Sequence, residues 1–248
     1  MQRISHKLAS VTHKILGKRK IHVLHIGKTG GSAVKDALRE YPETRRYEIL
    51  LHKHHTKLVD IPGGEGTIFF LRDPVSRFVS GFYSRQRQGQ PRISIPWSAE
   101  EKLAFEHFDT PNDLAVAINS TDTVERDWAL QAMRTIGHVK TSYWDWFQNE
   151  EYLRSRVSDI FFIGFQERLD EDFEILKSKL GLPENLTLPK DEIRAHKNPL
   201  GLDKTLTDEA RSNLNEWYKR DFEFIALCEA IIRDHPALRE MPRKRRGA

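Results

Sequence analysis

A single cysteine, Cys228, occurs among the 248 residues. One thiol closes no internal disulfide and builds no cysteine-based zinc site, so the fold is held by packing alone and is compatible with a reducing compartment. Cys228 sits in an apolar helical stretch, where a core position is expected. Long hydrophobic runs are missing too. Residues 1–27 are broken by Arg3, Lys7, Lys14, Lys18, Arg19 and Lys20. There is no apolar centre for a secretory leader and no stretch of about 18 apolar residues to span a bilayer. Nor does one sign of charge dominate, since 40 Lys+Arg against 36 Asp+Glu leave +4. That balance excludes charge-driven disorder and an acidic tail, points to an anionic ligand, and does not demand nucleic acid. These absences predict a soluble, cytoplasmic chain. The Asn-X-Ser/Thr triplets at Asn119 and Asn185 are too common by chance to argue for a lumenal one.

Against the absences stands a 38% apolar fraction, enough to fill one enzyme-sized core. Two apolar, β-branched or aromatic runs, 21–26 and 67–71, each end at residues unable to continue a strand and read as buried parallel strands. Each leads into a helical stripe: Val34, Ala37 and Leu38 after the first, and Val75, Phe78, Val79, Phe82 and Tyr83 after the second. A β-loop-α unit is thus written twice. A third strand is expected at 160–163. Ser98 with Glu101 makes a capping box, Pro111 follows Thr110 at a helix start, and 124–136 is amphipathic. A helix at 167–180 closes at Gly181, and 207–233 supplies one or two closing helices before Pro236. The expected organisation is a basic amphipathic helix at 1–20, a single β/α domain at 21–236 and a basic tail at 237–248. Ile4, Leu8, Val11 and Ile15 give the first helix its apolar face, which suits packing on the domain better than a membrane surface. The 87–97 segment, with Gly89, Pro91 and Pro96, reads as an exposed loop that shapes a substrate rim.

The sharpest local feature is His25-Ile-Gly-Lys-Thr-Gly-Gly-Ser32, between the first strand and its helix. Glycines let backbone N–H groups turn inward and a helix N-terminus adds partial positive charge. Lys28 adds a full charge, and Thr29 and Ser32 add hydroxyl donors, which together make an oxyanion cradle. Where a nucleoside-triphosphatase loop demands its first glycine stands His22, so only half of that pattern is present. The second feature is Leu71-Arg-Asp-Pro-Val-Ser-Arg-Phe-Val-Ser80. Pro74 suits a first helical turn, Arg72 projects at the carboxyl edge of the sheet, and Ser80 lies about two turns along the helix. Arg72 and Ser80 can hold a second phosphate, with Arg77 in an orienting or salt-bridging role. Two anion sites on one sheet edge suit a nucleotide with two separated phosphates.

In this order the motifs resemble the sulfotransferases that use 3′-phosphoadenosine 5′-phosphosulfate (PAPS) and release 3′-phosphoadenosine 5′-phosphate (PAP). The similarity is greatest to the carbohydrate O-sulfotransferase branch that includes heparan sulfate 2-O-sulfotransferase. It runs over about residues 21–232, weaker at 163–168 and in the closing helices. The resemblance implies that Lys28, Thr29, Gly30, Gly31 and Ser32 bind the 5′-phosphosulfate and that Arg72 and Ser80 bind the 3′-phosphate. It implies an α/β fold with a P-loop-kinase-like core, a short parallel sheet flanked by helices and added C-terminal helices. The acceptor it implies is a hydroxyl on a glycan or glycoconjugate. Gly27 departs from the pattern, where proline is usual. Lys197, in the irregular 194–199 segment, stands where related enzymes have a loop that closes over the cofactor.

Sulfuryl transfer needs an in-line attack by an oxygen, a base for its proton, and positive charge on the departing phosphate. Lys28 supplies the charge. His52-Lys-His-His55 follows the apolar 47–51 run, and an imidazole that titrates near neutrality suits a base. The resemblance maps a His-x-His pair onto His52 and His54. Strand alternation sets these on one face and His55 on the other, and His54 is the first choice of base. Solvated or structural histidines are the plainer alternative. No metal is expected, because the resemblance implies none and no carboxylate is evidently paired with the cluster. Trp97, Trp128, Trp144 and Trp146 suit a core better than an acceptor platform. Arg85, Arg87 and Arg92 suit an anionic acceptor or plain solvent equally. Two rival readings remain: a Mg-dependent P-loop kinase or NTPase, with Asp73 as its one metal-holding acid, and a non-catalytic nucleotide- or polyanion-binding module.

Overall fold

The computed structural model describes residues 17–91, 93–189 and 201–240. The helix expected around Ile4 to Ile15, the basic tail, Arg92 and Lys197 lie outside the described residues. Strands β1 (Arg19–Val23), β2 (Tyr47–Leu51), β3 (Gly66–Leu71) and β4 (Ile160–Phe165) form one parallel sheet in the order β2-β1-β3-β4. The strands expected at 21–26, 67–71 and 160–163 are present with shifted ends, and the 47–51 run is an edge strand. The chain leaves β1 toward β2 on one side and returns to β3 on the other. The loops after β1 and β3 therefore diverge and open a crevice at the carboxyl edge, where open parallel sheets bind ligands.

The helices are α1 (Gly31–Leu38), α2 (Pro74–Gln86), α3 (Ala99–His107), α4 (Pro111–Ala117), α5 (Thr123–Thr135), α6 (Trp144–Phe147), α7 (Glu150–Ser155), α8 (Leu169–Leu180), α9 (Asp208–Trp217) and α10 (Lys219–Asp234). Period-2 alternation along β3 sorts the sheet's two faces. Ile68 and Phe70 join Ile21, Val23, Val34 and Leu176 on the side of α1 and α8, while Phe69 and Leu71 join Ile163, Phe147 and Phe224 on the side of α6 and α10. Each such side chain, fully buried, contributes about 1.5–3 kcal/mol. Cys228 is buried in the second of these clusters, as expected. A further core, around Phe78, Phe82, Leu114, Met133 and Leu214, fastens α2 to α4, α5 and α9.

Local chemistry sets the helix ends. Pro74 opens α2 and the Asp73 carboxylate accepts from Ser76 N–H. Ser98 with Glu101 and Thr110 with Asp113 close reciprocal boxes at α3 and α4, each cap contributing about 1 kcal/mol. Gly181 ends α8 at φ 70, in the left-handed conformation that glycine adopts without a Cβ penalty. Among the described residues, β1 starts at Arg19 and Leu238 near the last of them is buried. Among the described residues, no helix is long and apolar enough to cross a membrane.

Candidate active site

The loop between β1 and α1 is held by the second anion motif. Lys28 has φ 67 and Gly30 φ 83, so the chain turns sharply twice before α1 begins. Arg77 Nε donates to the Gly27 carbonyl at 3.1 Å and Arg72 Nη1 to the Lys28 carbonyl at 3.3 Å. With those carbonyls drawn to the arginines, Lys28, Gly30, Gly31 and Ser32 line the cleft at the N-terminus of α1, where unpaired helix N–H groups favour an anion. The Thr29 hydroxyl is buried and donates to the Ile26 carbonyl at 3.0 Å, so it braces the loop from within. Ser32 Oγ lies 3.2 Å from His25 Nε2. The Lys28 ammonium has no hydrogen-bond or ion-pair partner among the described residues. Burial, with Arg87 and Arg72 nearby, lowers its pKa to about 7.

Arg72 leaves β3 at the carboxyl edge, and its Nε donates to Ser76 Oγ at 2.7 Å. Ser80 stands beside it on α2, and both line the cleft with Lys28, Gly30, Gly31 and Ser32. Arg77 takes the orienting role. It is buried, lies 4.7 Å over the Tyr143 ring, and donates to the Thr141 carbonyl and hydroxyl at 2.8 and 2.7 Å. Asp73 is engaged twice, since its side chain caps α2 and its N–H donates to Glu167 Oε1 at 2.8 Å. The acid that a kinase would need for its metal is thus a helix cap.

The histidines are arranged differently from the strand alternation expected at 52–55. β2 ends at Leu51 and residues 54–55 form a turn, so His52 and His54 take separate partners. The His52 ring stacks on His22 with centroids 5.0 Å apart, and its Nε2 lies 2.8 Å from His22 Nδ1. His22 Nε2 lies 2.6 Å from Glu65 Oε2, and this bond is the main cause of the lowered Glu65 pKa. An ionised carboxylate only accepts, so His22 carries its proton on Nε2, and when neutral it accepts at Nδ1 from the His52 Nε2–H. His54 instead stacks on His25 at 3.7 Å and donates from Nδ1 to the His25 carbonyl at 3.0 Å. Its Nε2 therefore carries the lone pair. Burial lowers the His54 pKa below 6.5, the carbonyl bond opposes this, and Lys35 and Lys28 add to the lowering. His54, exposed at the mouth of the cleft, lines it; His52 and His55 do not.

Other expectations resolve into packing. Arg85 forms a buried pair with Glu101 at 2.5 Å and also donates to the Ile95 and Pro96 carbonyls, so its charge is matched within the fold. Arg87 donates to the Gln90 and Tyr83 carbonyls. Trp97 bonds the Arg85 carbonyl, Trp128 stacks on His107, and Trp144 and Trp146 pack with the sheet's second core, so the tryptophans make no common platform.

Two features escaped the sequence. The Glu65–His22–His52 chain joins residues far apart along the chain, and its only trace was a histidine where a triphosphatase loop keeps glycine. The other is His138, which lines the cleft beside His54, with ring centroids 5.7 Å apart. It follows Gly137 in a turn and belongs to no local motif.

The sequence profile of the sulfotransferase family matches residues 13–225. A comparison with curated proteins finds no match. Because the profile spans every strand of the sheet and both anion motifs, the chain belongs to the sulfotransferase family, whose members generally draw on PAPS as sulfate donor.

Proposed function

We propose that the protein moves a sulfuryl group from PAPS to an acceptor hydroxyl, on a glycan in the first instance, with His54 as base. One observation carries this: Lys28, Arg72, Ser80 and His54 open onto a single cleft of about 1090 Å³, with Nε2 of His54 left as proton acceptor. The donor set fits a doubly anionic nucleotide. A lysine without an ion-pair partner, held by burial at a pKa of about 7, gains its charge back when an anion arrives.

Bound here, PAPS supplies a sulfuryl group on a phosphate that departs as PAP. Lys28 and the loop N–H groups offset charge on that phosphate, with Gly30, Gly31 and Ser32 shaping the approach. Thr29 serves by fixing the loop. Arg72 and Ser80 take the 3′-phosphate, and the Arg72 bond to the Lys28 carbonyl couples the two anion sites. Lys197 is assigned to closure over the nucleotide on the resemblance alone. As the acceptor oxygen bonds sulfur and the bond from sulfur to the phosphate oxygen breaks, His54 Nε2 takes the hydroxyl proton and later yields it to solvent. His52 is given an indirect supporting role: its ring is paired with His22, and its carbonyl accepts from Lys35, which also reaches Nδ1 of His25, the ring on which His54 stacks. Ile93 and Ile95, 46% and 49% exposed, give the cleft rim an apolar face for the flat side of a sugar. The single buried thiol suits action in a reducing compartment.

The test is transfer of labelled sulfate from PAPS to a panel of neutral and sulfated glycans, phenols and hydroxysteroids. His54→Ala is expected to lower kcat by about 10²–10⁴-fold while PAP affinity stays within about twofold. Full activity in that variant contradicts the base, and labelling of the non-glycan hydroxyls alone contradicts the acceptor class.

A further inference from the structure

His138 adopts φ 66, a left-handed conformation that residues with side chains enter at a cost. Its surroundings hold it there. Gly137 N–H donates to the buried Glu101 Oε1 at 2.9 Å, Arg77 binds Thr141, and the Thr141 hydroxyl donates to the His138 carbonyl at 3.3 Å. Glycines make the room. A Cβ at position 27 would lie 2.7 Å from His138 Nδ1, and one at position 81 would lie 3.2 Å from His138 Cβ. The turn is thereby inserted between the donor loop and α2, with its imidazole on the cleft wall.

That imidazole has no hydrogen-bond partner among the described residues. Burial first, then the charges of Lys28, His54 and Arg77, push its pKa down to about 3, so it is neutral at any working pH. A neutral imidazole offers one N–H and one lone pair. In an in-line transfer the sulfur lies between the entering oxygen, beside the base, and the leaving oxygen, beside the cation. His138 adjoins both ends of that line: its ring lies 5.7 Å from that of His54, and it packs on Gly27, which leads into Lys28.

We propose that the His138 N–H donates to a sulfuryl oxygen of the donor, making His138 a substrate-contacting residue that separates PAPS from PAP. This rests on the PAPS reading above. PAP lacks the sulfuryl group, so the contact is lost with transfer and product release is favoured.

The test needs no acceptor. PAPS and PAP are titrated calorimetrically into the parent, His138→Gly and His138→Asn, with thermal melts to establish folding. Glycine relieves the left-handed backbone, and asparagine tolerates it while offering an amide N–H. His138→Gly is expected to weaken PAPS about tenfold and PAP by less than about twofold, the loss due to a charge-assisted hydrogen bond, with His138→Asn recovering part of it. Equal losses for PAPS and PAP, or unchanged PAPS affinity in His138→Gly, overturn the proposal. A parent that binds neither nucleotide overturns the PAPS reading itself.

Discussion

The Tyr143 hydroxyl accepts from the Arg72 N–H at 3.0 Å and donates to the Arg72 carbonyl at 2.5 Å. One buried phenol thus satisfies both main-chain groups of the arginine in the second anion motif, at the point where β3 gives way to α2. Burial pushes the phenol pKa well up, so it remains a donor across the working range. Tyr143→Phe leaves the Arg72 N–H and carbonyl unpaired, at a cost of about 1–3 kcal/mol. A lowered melting temperature is expected, together with weaker PAP binding, because the Arg72 fork loses its fixed base. Unchanged PAP affinity in a destabilised variant would separate the phenol from the anion site.

Gly27 and His138 form a second such pair. Gly27→Ala places a methyl against the imidazole and is expected to destabilise by about 1–3 kcal/mol through overpacking. In the Gly27→Ala, His138→Gly double variant the clash is gone, so the two effects should be strongly non-additive in urea unfolding. Additive losses would mean that the imidazole moves aside freely.

The pair also shows where the sequence stops being informative. The β-loop-α units, the helix starts at Ser98 and Thr110 and the turn between the first strand and its helix follow from spacing over a few residues, and the fold contains them; the cap formed by Asp73 was not read from the sequence. Strand ends were less legible, since buried apolar residues such as Leu24 and Ile26 continue past β1 into the loop. His52 and His54 were found as residues but not in their arrangement, because a turn replaces the strand that alternation requires. The Glu65–His22–His52 chain and His138 depend on contacts between distant segments, which no local period encodes. Even so, glycine at position 27, where the resemblance leads one to expect proline, was the mark of a close approach there.

Lys28 carries a pH signature. Its folded pKa of about 7 lies below the ordinary lysine value of 10.5, so between these values the unfolded chain binds more protons and the lysine's contribution to stability rises with pH. A bound phosphate restores the charge. PAP binding above pH 7 is therefore expected to take up a proton, seen as a dependence of the titration heat on buffer ionisation enthalpy. Affinity should fall by up to about tenfold per pH unit above 7. Lys28→Met should abolish the uptake and weaken binding; uptake that persists in that variant would assign the proton elsewhere.

Two anion sites at the carboxyl edge of β1 and β3 are proposed to hold a nucleotide with separate 5′ and 3′ phosphates. Calorimetric titration of the parent and Arg72→Ala with PAP in EDTA, with ATP as comparison, tests the proposal most directly. Tight metal-independent PAP binding, weak ATP binding and a large loss of PAP affinity in Arg72→Ala are expected. Equal PAP affinity in the parent and Arg72→Ala, or ATP binding that requires Mg²⁺ in place of PAP binding, would contradict it.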